Sequence, residues 1–185
     1  MSIGFLLPDR YLTSVLQIKA DWLRAKNVKA MLLDIDNTLA SRVTLAAGAE
    51  ILDWVNEMKS EGFLMHLVTN NWHHAVFETA AHLDLPIVYK SMKPLPFNFV
   101  RAMKRLGVSR REALIVGDQV MTDILGAKIL KMQSVLVLPL TDSDRTHTKL
   151  LRNVEKIVLS GHQAELPDHI DPFHPDYPSS DGPPT

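Results

Sequence analysis

An α/β fold, with one parallel sheet and helices on both of its faces, is predicted by three observations. Apolar runs of strand length alternate with stretches of helical period along most of the chain. The connections between them are short, as in successive βαβ units. Polar clusters fall directly after the apolar runs, where the strands of an open parallel sheet end and ligands bind.

Each element can be justified in turn. Tyr11, Val15, Ile18 and Trp22, with Leu12, Leu16 and Leu23 beside them, have helical spacing and predict a helix over 11–26 with a wide apolar face. Residues 29–35 read as a buried strand. Ala46–Lys59 is expected to be helical, with Ile51, Leu52, Val55 and Met58 on one side and Gly62 as its stop. Phe63–Thr69 is a strand, Trp72–Leu83 a helix, and Ile87–Tyr89 a short strand after Pro86. Pro96 suits a first helical turn and opens a helix that runs to Leu106 and is closed by Gly107. Ala113–Val116 is a strand, Thr122–Leu130 a helix, Ser134–Leu138 a last strand and Lys149–Leu159 a last helix. From about Leu166 the chain turns to Pro, Asp, His and Ser. Three parts are expected: an N-terminal segment and helix over 1–27 packing on the core, an α/β domain over 28–160, and a Pro-rich tail over 161–185 without a core of its own.

Composition narrows the function classes. A chain of 185 residues, 46% apolar and 22% charged, suits one soluble globular domain. With a formal net charge of −1 and no basic block, nothing indicates nucleic acid. The absence of cysteine excludes disulfides, thiolate zinc sites and thiol nucleophiles, and fits a cytoplasmic location. No apolar run approaches the ~20 residues of a membrane span. A signal peptide is not expected from the N-terminus, where Ile3, Phe5, Leu6 and Leu7 stand without a charged leader region.

The chemistry begins at Met31-Leu32-Leu33-Asp34-Ile35-Asp36-Asn37-Thr38, an apolar strand that ends in two carboxylates. Carboxylates held close together need a cation or a shared proton. The other strand ends add Thr69-Asn70-Asn71, then Lys93-Pro94, then Gly117-Asp118 with Asp123 shortly after. Acids, a lysine, a hydroxyl and an amide converging on one rim suit phosphoryl transfer from a monoester. Asp34 and Asp118 offer hard oxygens to Mg²⁺. A carboxylate can attack phosphorus and so divide hydrolysis into two steps. Asp36 can protonate the leaving oxygen and later deprotonate water. Thr69 and Asn70, with nearby backbone N–H groups, can bind phosphoryl oxygens, and Lys93 balances their charge.

In this order the motifs resemble those of the haloacid dehalogenase (HAD) phosphohydrolases: Asp34-Ile35-Asp36-Asn37-Thr38 for the first, Thr69 for the second, Lys93 for the third, and Gly117-Asp118 with Asp123 for the fourth. The resemblance covers roughly Val28 to Leu138 and is most similar to the YqeG-type branch of subfamily IIIA, whose eukaryotic relatives are phosphatidylglycerophosphate phosphatases. It implies a Rossmann-like HAD fold and a Mg²⁺-dependent phosphatase. In that pattern Asp34 is the nucleophile, Asp36 the acid/base, and Asp118 a metal ligand together with the backbone carbonyl of Asp36. Thr38 supports the turn, and Asp123 acts through a metal-bound water or by holding Lys93. The intervals from Thr38 to Thr69 and from Thr69 to Lys93 hold one helix and one strand each, too little for a cap domain. An open site suits a phosphorylated substrate too large to enclose, whether a protein, a nucleic acid or a lipid headgroup at a membrane surface, or a second subunit acting as lid in a homo-oligomer.

Plainer readings stand beside these. An acidic strand end can be a solvated turn, Thr69 can cap the following helix, and Lys93 can be a surface lysine. The motif series as a whole outweighs each of them. His73 and His74 are adjacent on a helix and point apart, so they read as helix surface, not as ligands. The N-terminal helix fits packing against the sheet edge better than lying on a membrane, with Phe5-Leu6-Leu7 the part suited to lipid or a second subunit. The alternatives to hydrolysis of phosphatidylglycerophosphate are action on a protein, nucleotide or sugar phosphate, or a non-catalytic binding or signalling role for the same fold.

Overall fold

A computed structural model of the chain describes residues 3–41, 46–141, 158–159 and 162–165. Six strands form one sheet: β1 (Arg10–Leu12), β2 (Ala30–Leu33), β3 (Leu64–Val68), β4 (Ile87–Val88), β5 (Ala113–Gly117) and β6 (Gln133–Val137). Their order is β1-β6-β5-β2-β3-β4, and every pair is parallel. The chain runs outward from β2 to β3 and β4 on one side, then returns to β5 on the other. The switch point therefore lies between β2 and β5, where a crevice opens beyond the strand ends.

Alternation along the strands builds two cores. Met31 and Leu33, Met65 and Leu67, and Leu114 and Val116 face one side. There they meet Leu23 of α1 (Ala20–Ala25), Ile51, Val55 and Met58 of α2 (Ala49–Ser60), and Val76 and Ala80 of α3 (His74–His82). Leu32, Val68 and Ile115 face the other side, against Phe99, Ala102 and Met103 of α4 (Phe97–Leu106) and Ala127 of α5 (Leu125–Leu130). Period two in the strands and the apolar stripe of each helix account for the expected layering, with helices on both faces. β2 and β5 are buried throughout, as strands covered on both faces must be. Among the described residues, α2 is the helix between β2 and β3 and α3 the helix between β3 and β4, with no cap domain over the sheet ends.

The N-terminal region differs from the helix expected over 11–26. β1 pairs with β6, a 3₁₀ turn follows at Val15–Gln17, Ile18 is extended, and only Ala20–Ala25 is α-helical. The reason is physical. Leu12, Val15 and Ile18 are all buried at three-residue spacing, which a strand end followed by a 3₁₀ turn satisfies as well as an α-helix does. Ser14 and Gln17 close a capping box on that turn, and β1 covers an otherwise open edge of β6. Trp54 Nε1 donates to the Ile18 carbonyl at 3.0 Å, tying this segment to α2.

Other boundaries move by a few residues. α2 starts at Ala49 after Gly48, not at Ala46. The helix expected from Thr122 is entered through a π-helical turn, Val120–Ile124. The helix expected over Lys149–Leu159 lies outside the described residues except for Val158 and Leu159, as does most of 161–185. Within that tail Glu165 is placed: its N–H donates to the Tyr11 carbonyl at 2.7 Å, and its carboxylate pairs with Arg10 along β1.

Candidate active site

Every strand end at the centre of the sheet delivers a polar side chain. β2 continues past Leu33 with Asp34 N–H donating to Val116 O at 2.9 Å, which carries the first carboxylate to the mouth of the crevice. Ile35 is buried and anchors the chain between the two acids. Asn37 then takes a left-handed conformation, φ 64°, which an asparagine tolerates. The turn folds back so that the Thr38 hydroxyl donates to Asp34 Oδ2 at 3.3 Å.

β3 ends at Thr69, whose hydroxyl donates to Asp36 Oδ2 at 2.9 Å. The Asn71 amide donates to Asp36 Oδ1 at 2.9 Å, while Asn71 Oδ1 accepts from the backbone N–H groups of Trp72 and His73 at the start of α3. Asp36 is thus held at both oxygens by neutral donors. Asn70 turns to the loop after β4: its Oδ1 accepts from Lys93 N–H at 2.7 Å and from the Ser91 hydroxyl at 2.9 Å, and its amide donates to Lys93 O at 3.2 Å. The side chain of Asn70 therefore positions the lysine loop.

Lys93 reaches into the crevice between two acids. Its Nζ donates to Asp34 Oδ1 and, at 2.7 Å, to Asp123 Oδ1. All three side chains are buried. Asp123 sits on the π-helical turn, and its Oδ2 accepts from Gln119 N–H at 3.3 Å and from the Thr122 hydroxyl at 3.2 Å. Such a turn widens the helix, as happens often where a functional side chain is placed.

Gly117, at the end of β5, owes its identity to this packing. A Cβ there would lie 2.3 Å from Asp123 Cγ and 2.4 Å from Asp123 Oδ2. Gly117→Ala is expected to cost about 1–3 kcal/mol through overpacking and to displace the carboxylate that grips Lys93. Urea unfolding checks the first effect. A loss of activity larger than that of a core alanine elsewhere checks the second.

Burial and like charges dominate the electrostatics. Desolvation raises the Asp34 pKa to about 7 against the pull of Lys93, and Asp123 and Asp36 add to the rise. For Lys93 burial acts downward, but Asp123 and Asp34 overcome it and hold the ammonium well above the usual lysine range. Asp34, Asp118 and Asp123 are all buried and present oxygens within 4.8 Å of one another. Three carboxylates facing a single ammonium leave an excess of negative charge, and their hard oxygens are the donor set for a divalent cation. The residues therefore fit such an ion.

The expected residues are brought together as two adjoining groups. Asp34, Thr38, Lys93, Asp118 and Asp123 form the first, and Asp36 and Thr69 the second. Asn71 and Gly117 were not singled out as site residues from the sequence. The asparagine pair after Thr69 was the available signal for Asn71, but which of the two amides turns to Asp36 depends on the loop's path.

A parallel sheet whose order reverses beside β2, with paired acids at that strand end and a further acid after β5, defines the HAD-like hydrolase class. Residues 91–156 match the HAD-hydrolase-like family model. The Probable phosphatase YqeG of Bacillus subtilis (strain 168) is 33% identical over 156 residues, which span 84% of this chain and 91% of that protein. The chain belongs to this YqeG-type branch of the HAD superfamily. The glyceraldehyde 3-phosphate phosphatase of Pyrococcus furiosus is 30% identical over 87 residues, 42% of this chain and 36% of that protein. An uncharacterized protein from Listeria monocytogenes serotype 4b shares the fold, with a TM-score of 0.51 and 14% identity, over 64% of this chain and 85% of its own.

Proposed function

We propose that the protein is a Mg²⁺-dependent phosphomonoesterase working through a phosphoaspartate at Asp34. The observation that carries this reading is the buried group of Asp34, Asp118 and Asp123 around Lys93. The match to a Bacillus subtilis protein named Probable phosphatase YqeG supports it.

Asp34, Asp118 and the backbone carbonyl of Asp36 would hold Mg²⁺, which would supply positive charge to the phosphoryl group when bound. In the first step an Asp34 oxygen attacks phosphorus, and the bond to the leaving oxygen breaks as Asp36 gives that oxygen a proton. In the second, water attacks phosphorus, Asp36 takes its proton, and the bond to Asp34 breaks, releasing inorganic phosphate. The Thr69 hydroxyl donates to Asp36 Oδ2 and accepts from Asn71 N–H at 3.0 Å, and in this reading Thr69 serves the phosphoryl oxygens from the strand end. In the same reading the Asn70 backbone N–H would serve the phosphoryl oxygens, while the Asn70 side chain keeps Lys93 in place. Lys93 neutralises the phosphoryl oxygens and orients Asp34; Thr38 and Asp123 support these two side chains.

The substrate this reading favours is phosphatidylglycerophosphate, on the branch resemblance and on a rim that carries no cap among the described residues. Phosphate release from an aryl phosphate is expected to require added Mg²⁺, to stop with EDTA and to return with excess metal. A panel of lipid, nucleotide, sugar and protein phosphates then ranks the substrates. Undiminished release in EDTA would refute the metal-dependent mechanism.

A further inference from the structure

We infer that the rim of this site formed by the loops after β3 and β4 and by the exposed face of α4 docks on an anionic lipid bilayer. That rim is unusually apolar for a solvent-facing surface. Phe97 is 68% exposed, and Trp72 and Met92 are 59% exposed. Single exposed apolar residues are ordinary, but neighbouring ones mark an interaction surface. Those of α3 and of the loops after β3 and β4 are linked among themselves. Phe77 and Tyr89 meet edge to face with ring centroids 5.0 Å apart, and Lys90 Nζ lies 5.7 Å from the centre of the Trp72 ring. A turn closed by Leu95 N–H on Met92 O at 2.9 Å exposes Met92 and Leu95 on either side of Lys93, whose own side chain is buried in the crevice. The apolar residues and the site's lysine therefore share one loop.

Charge separates the possible occupants. The chain carries a net charge of −1, yet it has no acidic residue between Asp84 and Glu112. Across that interval Lys90, Arg101, Lys104 and Arg105 are exposed, and none of them forms an ion pair among the described residues. On α4, Phe97, Val100, Arg101 and Lys104 follow i, i+3, i+4, i+7 spacing and share the exposed stripe, while Phe99, Ala102 and Met103 are buried opposite. An acidic protein or a nucleic acid accounts for the cations. Aliphatic Met92, Leu95 and Val100 beside aromatic Trp72 and Tyr89 add what a bilayer interface selects: apolar side chains for the acyl boundary, amphipathic rings at headgroup level and cations for anionic lipid. No helix among the described residues is long and apolar enough to cross a membrane. The face gives the proposed phosphatase site a substrate presented in the plane of a bilayer, a consequence that rests on that reading.

Co-sedimentation of the full chain with vesicles tests the docking itself, with no phosphorylated lipid present beyond the phosphodiester headgroups. Binding is expected to vesicles containing phosphatidylglycerol, to fall with salt, and to be absent on phosphatidylcholine alone. Phe97→Ser with Val100→Ser, and separately Arg101→Glu with Lys104→Glu, are each expected to weaken the partition at least about tenfold, with circular dichroism and turnover of a soluble aryl phosphate unchanged. Equal recovery with both vesicle types, indifference to both double variants, or tighter retention on polyuridylate than on the vesicles would each overturn the inference. Inactivity of the unaltered protein on aryl phosphate would instead refute the phosphatase reading and leave the vesicle result standing.

Discussion

Asp34→Asn is expected to lower phosphate release by about 10⁴-fold or more, because an amide cannot supply the nucleophilic oxygen and no neighbouring group takes its place. The fold is expected to survive. Asp34 is buried, and one of its oxygens accepts from Lys93 while the other accepts from the Thr38 hydroxyl at 3.3 Å. Asparagine can keep its carbonyl toward Lys93 and turn its NH₂ to the Thr38 oxygen, so both contacts have a partner. The substitution also removes a carboxylate that burial disfavours in its charged form, as its pKa of about 7 shows. Metal-free Asp34→Asn should therefore be no less stable than the parent at pH 8, and thermal unfolding there checks it. Retained turnover with an intact fold would eliminate the phosphoaspartate mechanism. Lost turnover with a lowered melting temperature would mean that Asp34 had been removed as a structural group.

Asp34, Thr69 and Asp118 were legible because each follows an apolar run, and the end of a parallel strand has one destination. Asp34, Thr69 and Asp118 leave β2, β3 and β5 within a residue or two of the last paired position, so knowing the strands nearly locates the side chains. The remaining features depend on paths through space. Asn70 and Asn71 have the same chemistry and adjacent positions, and only the course of the loop sends one to Lys93 and the other to Asp36. The role of Gly117 as the space for Asp123 needs the π-helical turn, which has no clear periodic signature. β1 has three residues, too few for alternation to separate a strand from the first turn of a helix. The burial of Lys93 was visible only as a place in a motif series, and burial is what gives that residue its largest expected effect.

Lys93→Met keeps the length of the stem and removes the charge, and two large losses are expected from it. Asp34, Asp118 and Asp123, with oxygens within 4.8 Å of one another, lose the ammonium that bonds two of them. Breaking a buried charge cluster in this way costs about 3–5 kcal/mol. Turnover should fall by about 10²–10³-fold with the loss of positive charge at the phosphoryl oxygens. The stability loss should depend on pH in a direction opposite to ordinary acid denaturation. Asp34 already has a folded-state pKa of about 7 against 3.8 for the free side chain, so between those values the folded state holds more protons than the unfolded state. Stability from this group is therefore present at low pH and is lost as pH rises through the folded value. Removing Lys93 takes away a force that lowers the pKa, which extends the window upward and steepens the loss. Urea unfolding of Lys93→Met should show a severe deficit at pH 8, a smaller one at pH 5, and recovery at pH 8 when Mg²⁺ is added, because a divalent cation replaces the missing charge. An equal deficit at both pH values with no response to Mg²⁺ would assign the contribution of Lys93 to the packing of its stem, and the excess negative charge that argues for a metal at these carboxylates would no longer be supported.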